Sequence, residues 1–219
     1  MESIDSILLT TPKVLKVNSS LQELANYYLP YKTGFEVECS QASDFNLDSF
    51  KNIPNLIECK IDSYEQRFQI PSGLKGLICL YDISIQLKLN SELNPLSGVH
   101  YHVDFTDNYD LITDEVITKY KEEILKELDT WDYKGKYNRR DVSRRRCWVR
   151  VHGHCKTLEY RIGEMTFDYD LLVKRIIHCN SITRDLKEKL IWGETLNHNP
   201  SLLYQENIRK VLNNRTEQI

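Results

Sequence analysis

Three short stretches place polar residues two apart: Glu36-Val37-Glu38, His100-Tyr101-His102 and Glu159-Tyr160-Arg161. Each sits in an alternating apolar and polar run that predicts a β-strand, and on a strand side chains two apart share a face. Each pair therefore turns two polar groups to one side of a sheet and leaves its apolar neighbours to pack on the other. Strands of this kind in one sheet would gather two carboxylates, two imidazoles and a carboxylate–guanidinium couple on one patch. Carboxylates are the ligands Mg2+ and Mn2+ take beside phosphates, and imidazole suits Mn2+ and Zn2+ better than Mg2+. Arginine grips a carboxylate or phosphate with two parallel N–H groups. Together these are the ingredients of a metal–phosphate site. Plainer readings stand beside this one. Glu36 and Glu38 also fit a solvated strand face, His100 and His102 fit hydrogen-bonded core or surface histidines, and Glu159 with Arg161 fits a structural salt bridge. Gly98, just ahead of the histidines, permits close backbone approach.

The surrounding pattern says what must position these residues. Leu21, Leu24, Ala25 and Tyr28 have helical spacing and predict a lead-in helix that Pro30 ends. Thr33 to Cys39 reads as the first central strand, with Phe35 and Val37 on its apolar face. Asn55 to Asp62 and Gln66 to Ile70 predict two further strands, and Pro71-Ser72-Gly73 is turn chemistry. A largely buried helix runs from Leu74 to near Asn90, and the loop Asn94 to Gly98 delivers a strand over Val99 to Phe105. An amphipathic helix is expected from about Asp114 to Trp131, on a stripe that includes Val116, Ile117, Tyr120 and Ile124. Cys147 to His152 and Thr157 to Met165 predict a hairpin around Gly153-His154. Asp168 suits the N-cap of a helix carrying Leu172, Val173, Ile176 and Ile177. A separate helix is expected over about Arg184 to Trp192, and a last one opens at Asn199-Pro200.

Length and composition bound the class. The chain of 219 residues fits a single domain, 1–219, with its core at about 33–183 and a helical C-terminal extension over 184–219. A hydrophobic share of 41% supports a real core, and 28% charged residues with net charge −3 is ordinary. No apolar run approaches the roughly 18–20 residues that span a bilayer. Met1-Glu2-Ser3-Ile4-Asp5 lacks the basic start of a secretory signal, so the expectation is a cytoplasmic protein without a membrane partner. The six cysteines show no C-x-x-C spacing, which predicts free thiols rather than disulfides or a cysteine metal centre. Residues 132–150 are basic, with Lys134, Lys136, Arg139, Arg140, Arg144, Arg145, Arg146 and Arg150 against Asp132 and Asp141. Such a run can hold a nucleotide's phosphates or bind nucleic acid. Its few aromatics (Tyr133, Tyr137, Trp148) and the lack of a nucleic-acid motif make the first reading at least as good. His152, His154 and Cys155 are zinc-ligand types without a fourth spaced partner. The sequence holds no P-loop, no G-x-S-x-G elbow and no Rossmann fingerprint.

In order along the chain, from about Thr33 to Thr183, these motifs resemble the glutamine-synthetase-like carboxylate–amine ligases, in particular the small amidoligase-type branch common in phages. TGFEVE resembles that family's first-strand E-x-E, SGVHYHVDF its G-x-H-x-H, and LEYRIGEMTFD its late E-x-R strand, with arginines ahead of it. The resemblance implies an α+β fold in which a largely antiparallel, curved sheet carries the active site on one face and helices on the other. It implies an ATP-dependent ligase that forms an amide through an acyl phosphate, with ATP and Mg2+ or Mn2+ as cofactors. The partners implied are small-molecule or peptide carboxylates and amines rather than nucleic acid, with oligomerisation open and the host cytoplasm as the place of action if the protein is phage-encoded.

The same resemblance implies roles. Glu36, His100 and Glu159 would hold the metal that bridges the ATP phosphates, and Glu38 a second metal. Glu58 and Glu65 are candidates for further acidic ligands to that metal, while Gln69 stands where a carboxylate would be expected. His102, Arg139 and Arg145 would face the nucleotide. Arg161 would grip a carboxylate or the transferred phosphoryl group, and one of Arg139, Arg145, Arg146 or Arg150 would neutralise developing charge. The chain is much shorter than glutamine synthetase, and a counterpart of that enzyme's separate N-terminal domain is not expected. Two alternatives remain at this level: a catalytically inactive phage protein of the same fold with a binding or structural role, and a nucleic-acid-binding module using residues 134–150.

Overall fold

The computed structural model describes residues 19–41, 46–61, 65–92, 98–112, 116–117, 119–120, 123–124 and 149–192. Alternation of apolar and polar side chains builds the central element, a six-stranded open sheet. Its strands are β1 (Thr33–Val37), β3 (Glu58–Ile61), β4 (Gln66–Ile70), β6 (Gly98–Asp104), β7 (Val149–His152) and β8 (Thr157–Glu164). They lie in the order β3-β4-β1-β6-β8-β7, and every neighbouring pair is antiparallel. The expected α+β fold, with a largely antiparallel sheet and helices packed on it, is the observed one. A second sheet pairs only β2 (Ser40–Gln41) with β5 (Ser91–Glu92).

One face of the large sheet is the core. Phe35, Val37, Phe68, Ile70, Tyr101, Val103, Leu158 and Tyr160 are buried there. They pack with Cys79, Leu80, Ile83 and Leu87 of α3 (Gly73–Asn90) and with Leu172, Ile176 and Cys179 of α4 (Tyr169–Trp192). The rings of Phe35 and Phe68 lie 5.2 Å apart, and Phe50 of α2 (Leu47–Lys51) stands 5.5 Å from Phe68. Burial of each such ring stabilises the fold by about 2–3 kcal/mol. The lead-in helix α1 (Ser19–Tyr28) packs on α3.

The helix that backs the sheet also pins it through polar contacts. Asn180 donates to Thr33 Oγ1 at 2.9 Å and to the Ile176 carbonyl, and its own side-chain oxygen accepts from the Tyr31 amide. The Tyr160 hydroxyl meets Thr183 Oγ1 at 2.8 Å. β1 and β8, which carry the candidate glutamates on their other face, are thereby held to one rigid helix. Gly163 in β8 adopts φ +86°, a left-handed conformation that a side chain would strain.

Several boundaries differ from the sequence expectation. The two helices expected over Asp168 to Ile177 and over Arg184 to Trp192 are one continuous helix, α4. No Gly or Pro interrupts it, and its mid-helix polar residues find partners rather than ending it. The expected cap is present: the Leu171 amide donates to Asp168 Oδ1 at 2.9 Å. β1 ends at Val37, two residues early, and β3 begins only at Glu58, after Pro54 and a left-handed Asn55 (φ 64°). The 3-10 turn Thr106–Leu111 and the short α2 were not anticipated. Val116, Ile117, Lys119, Tyr120, Glu123 and Ile124 are helical, as the stripe predicted, while the rest of that helix and the one opening at Asn199-Pro200 fall outside the described residues. Cys39, Cys59, Cys79, Cys155 and Cys179 are free thiols. No helix among the described residues is long and apolar enough to cross a membrane.

Candidate functional site

Register turns the three sequence pairs into one patch. Residues directly opposite in an antiparallel ladder share a face, and two cross-strand rows run over the face away from the helices. The first is Lys60, Arg67, Glu36, His100 and Arg161. The second is Glu58, Gln69, Gly34, His102, Glu159 and Arg150. Gly34 matters to the second row, since a Cβ at that position would already touch His102 Cβ at 3.4 Å.

Glu36 is at the centre. One carboxylate oxygen lies 3.4 Å from His100 Nδ1, and the other lies 3.5 Å from both His102 Nε2 and Arg67 Nε. Arg67 also donates to Glu65 at 2.8 Å. Ligand atoms of Glu36, Glu65 and His100 all fall within 4.8 Å of one another. Among the described residues this is the only set of three or more His, Cys, Asp or Glu so arranged, and His152, His154 and Cys155 form no such set. Two carboxylates and one imidazole are a donor set that fits Mn2+ well and Mg2+ acceptably. Glu38, one residue beyond β1, accepts from the Gly98 amide at 3.3 Å and approaches His100 Nε2 at 3.7 Å. It therefore borders the cluster from the end of the strand.

Glu159 lives differently. It is fully buried, its Oε1 accepts from Arg161 Nε at 2.6 Å, and its Oε2 accepts from Arg150 Nε. Burial alone would raise its carboxyl, but Arg150, His102 and Arg161 outweigh burial and hold it below the usual carboxylate range. Glu36 follows the same pattern. Burial pushes it up, yet the His100 and His102 imidazoles and hydrogen bonding with Glu65 bring it well below the usual range. Glu65 moves the other way, raised by burial and by the neighbouring Glu36 carboxylate against the pull of Arg67. Like charges this close favour one shared proton. His102 Nδ1 stands 3.3 Å from Thr157 Oγ1, and its buried Nε2 makes no hydrogen bond of normal geometry. His152 packs edge-on against His102 at 5.5 Å and is lowered by burial first, then by the His102 charge.

The structure thus brings Glu36, Glu38, Glu65, His100, His102, Arg150, Glu159 and Arg161 to one face. His100 Nδ1 lies 3.4 Å from Glu36 and 3.9 Å from Glu159; of the candidate metal ligands, the mutually close trio contains Glu36, His100 and Glu65, while both Glu159 oxygens accept from arginines. Of the two further acidic candidates, Glu58 instead pairs with Lys60 Nζ at 2.6 Å at the sheet edge. Arg139, Arg145 and Arg146 lie outside the described residues. Sequence reading passed over Arg67 and Thr157. Arg67 had a signal, because Glu65-Gln66-Arg67 repeats the E-x-R spacing of Glu159-Tyr160-Arg161. Thr157 had none beyond its place in a strand.

No protein-family model matches the sequence, and no curated protein matches it. The residues of this face therefore carry the functional reading.

Proposed function

We propose that the polar face of the sheet is a divalent-cation-dependent phosphoryl-transfer site, and that the protein is an ATP-dependent carboxylate–amine ligase. The observation that carries this reading is the approach of Glu36, Glu65 and His100 to within 4.8 Å of one another, on a face that also holds Arg67, Arg150 and Arg161. Glu36, Glu65 and His100 would hold Mg2+ or Mn2+, with Glu38 at the margin. Such a cation supplies neutralisation of phosphate charge.

The remaining work falls to the chain's own groups. Arg150 and Arg161 each donate Nε to Glu159, which fixes the planes of both guanidinium groups beside the cluster, where their positive charge would draw an anionic oxygen. Glu159 is in this respect an orienting anion for two arginines. Thr157 and the neighbouring strand hold the His102 ring beside Glu36. In the reaction, the γ-phosphoryl group of ATP passes to a carboxylate oxygen, giving an acyl phosphate and ADP. The amine then attacks the acyl carbon and phosphate leaves, forming the amide. Phosphoryl transfer asks mainly for positioning and charge neutralisation, so no protein nucleophile is needed.

The test is ADP release with Mn2+ or Mg2+ and a panel of carboxylates and amines. Glu36→Gln and Glu159→Gln, each checked for folding by circular dichroism, are expected to abolish it. Full activity in both variants would rule out the site. Calorimetry showing neither ATP nor metal binding would turn the reading toward a non-catalytic binding protein of the same fold.

A further inference from the structure

Arg67 occupies a position that the ligase chemistry does not use. Its guanidinium reaches the Glu65 carboxylate at 2.8 Å and the Glu36 carboxylate at 3.5 Å, the two acidic members of the close trio. The buried Nε2 of His102, a residue only 8% exposed, lies 3.5 Å from the same Glu36 oxygen that Arg67 Nε approaches, without a hydrogen bond of normal geometry. Glu36 is therefore approached by one internal cation and by one nitrogen whose hydrogen-bonding capacity is unmet.

We propose that Arg67 is a guanidinium latch: it bridges Glu36 and Glu65 when the site holds no divalent cation, and it must leave them for the cation to bind. The proposal rests on the metal reading of this site and adds its regulation. The physical reason is competition for the same lone pairs. A carboxylate oxygen engaged by an arginine fork is a poorer ligand, and a divalent ion beside a guanidinium also feels like-charge repulsion. Two ionised carboxylates this close repel each other, so Arg67, a metal or a shared proton must offset their charge, and the first two compete for the same oxygens. The Arg67 side chain is 49% exposed, so water can take over its contacts to Glu36 and Glu65 when it leaves, and ion pairs this exposed hold weakly, which makes the latch reversible.

Lys60 provides the internal control. It is the cross-strand neighbour of Arg67 on the same face, one strand further out, and its ammonium pairs with Glu58 at 2.6 Å rather than with Glu36 or Glu65. Removing either residue deletes one positive charge from this region, but only Arg67 touches the proposed ligands.

The experiment is direct Mn2+ titration of the full chain, read by the electron-paramagnetic-resonance signal of free Mn2+. Arg67→Met is expected to bind Mn2+ about five- to tenfold more tightly than the wild type, the scale of one or two partly exposed ion pairs, with Lys60→Met shifted by less than about twofold. Unchanged affinity in Arg67→Met, or equal shifts in the two variants, overturns the latch while Mn2+ binding by the wild type leaves the site reading intact. If neither the wild type nor Arg67→Met binds Mn2+ in the millimolar range, the metal reading itself fails and the latch falls with it. Should Arg67→Met not fold, Arg67→Lys takes its place, since one ammonium cannot form the two-pronged bridge. It is then expected to bind Mn2+ more tightly than the wild type, and equal or weaker binding overturns the proposal.

Discussion

Glu65-Gln66-Arg67 and Glu159-Tyr160-Arg161 are the same local motif on two strands, and they have become different things. In both, a glutamate and an arginine two apart form an ion pair on one face, at 2.8 Å and 2.6 Å respectively. Glu159 lies inside the sheet, opposite His102 and Arg150, so a second guanidinium reaches it from β7. Glu65 stands just ahead of β4, and its added neighbour is another carboxylate, Glu36. One pair is over-supplied with positive charge and holds its carboxylate ionised. The other is short of positive charge and holds a proton or welcomes a cation. A two-residue spacing selects the face, while the charge on the next strand selects the chemistry.

The sharpest way to break this contrast is to neutralise each glutamate without changing its shape. Glu159→Gln leaves two arginines around a neutral amide and is expected to destabilise the fold by about 2 kcal/mol. That lies below the range for fully buried pairs, because the Arg150 and Arg161 side chains remain 31% and 27% exposed. Glu65→Gln is expected to stay within about 0.5 kcal/mol of the wild type, or to gain slightly, because it removes repulsion with Glu36. Urea denaturation of both variants decides this, and equal losses would erase the distinction.

Metal affinity should invert that ranking. Glu65→Gln and Glu36→Gln are expected to weaken Mn2+ binding by about tenfold or more, the loss common even for residues one layer out from a metal. Glu159→Gln, whose oxygens face arginines, is expected to lose less. A larger loss in Glu159→Gln than in Glu65→Gln would place Glu159 in the ligand set and require Arg150 or Arg161 to move on binding.

The smallest effect is in the pH profile, and its two parts carry opposite signs. Glu159 and Glu36 are depressed below an unfolded glutamate's value of about 4.3, so their contribution is full above that pH and is lost as pH falls through their folded values. Glu65 is raised, so the folded state keeps its proton longer, and stability declines as pH rises from about 4.3 through the folded value. Unfolding free energy measured from about pH 3 to pH 7 should therefore lose part of its acid limb in Glu159→Gln. Glu65→Gln should lose the decline on the higher-pH side.

Much of this could be anticipated residue by residue. The alternation in TGFEV, GVHYHVD and TLEYRIGE placed Phe35, Tyr101 and Tyr160 in the core and Glu36, His100 and Glu159 opposite them, and each is found so. The cap at Asp168 was legible because it lies within four consecutive residues, Asp168 to Leu171. The continuity of α4 was not, because the contacts that hold its middle, at Asn180 and Thr183, come from Thr33 and Tyr160, both distant in the chain. Arg67 was missed for a related reason. Its importance comes from facing Glu36 across β4 and β1, and nothing within its own strand reveals that neighbour.

The sequence by itself determined which side chains share a face, because the two-residue period of a strand is a local property of the backbone. It also determined that those faces would be one apolar and one polar, and hence that a sheet with a buried side and a charged side would form. Only the tertiary structure decided that β1 lies between β4 and β6 and that β8 lies between β6 and β7. It set Glu36 against His100 and Arg67, and gave Glu159 to two arginines. Register is fixed by hydrogen bonds between segments far apart in the chain and by the packing of their apolar faces on α3 and α4, so no single stretch contains it.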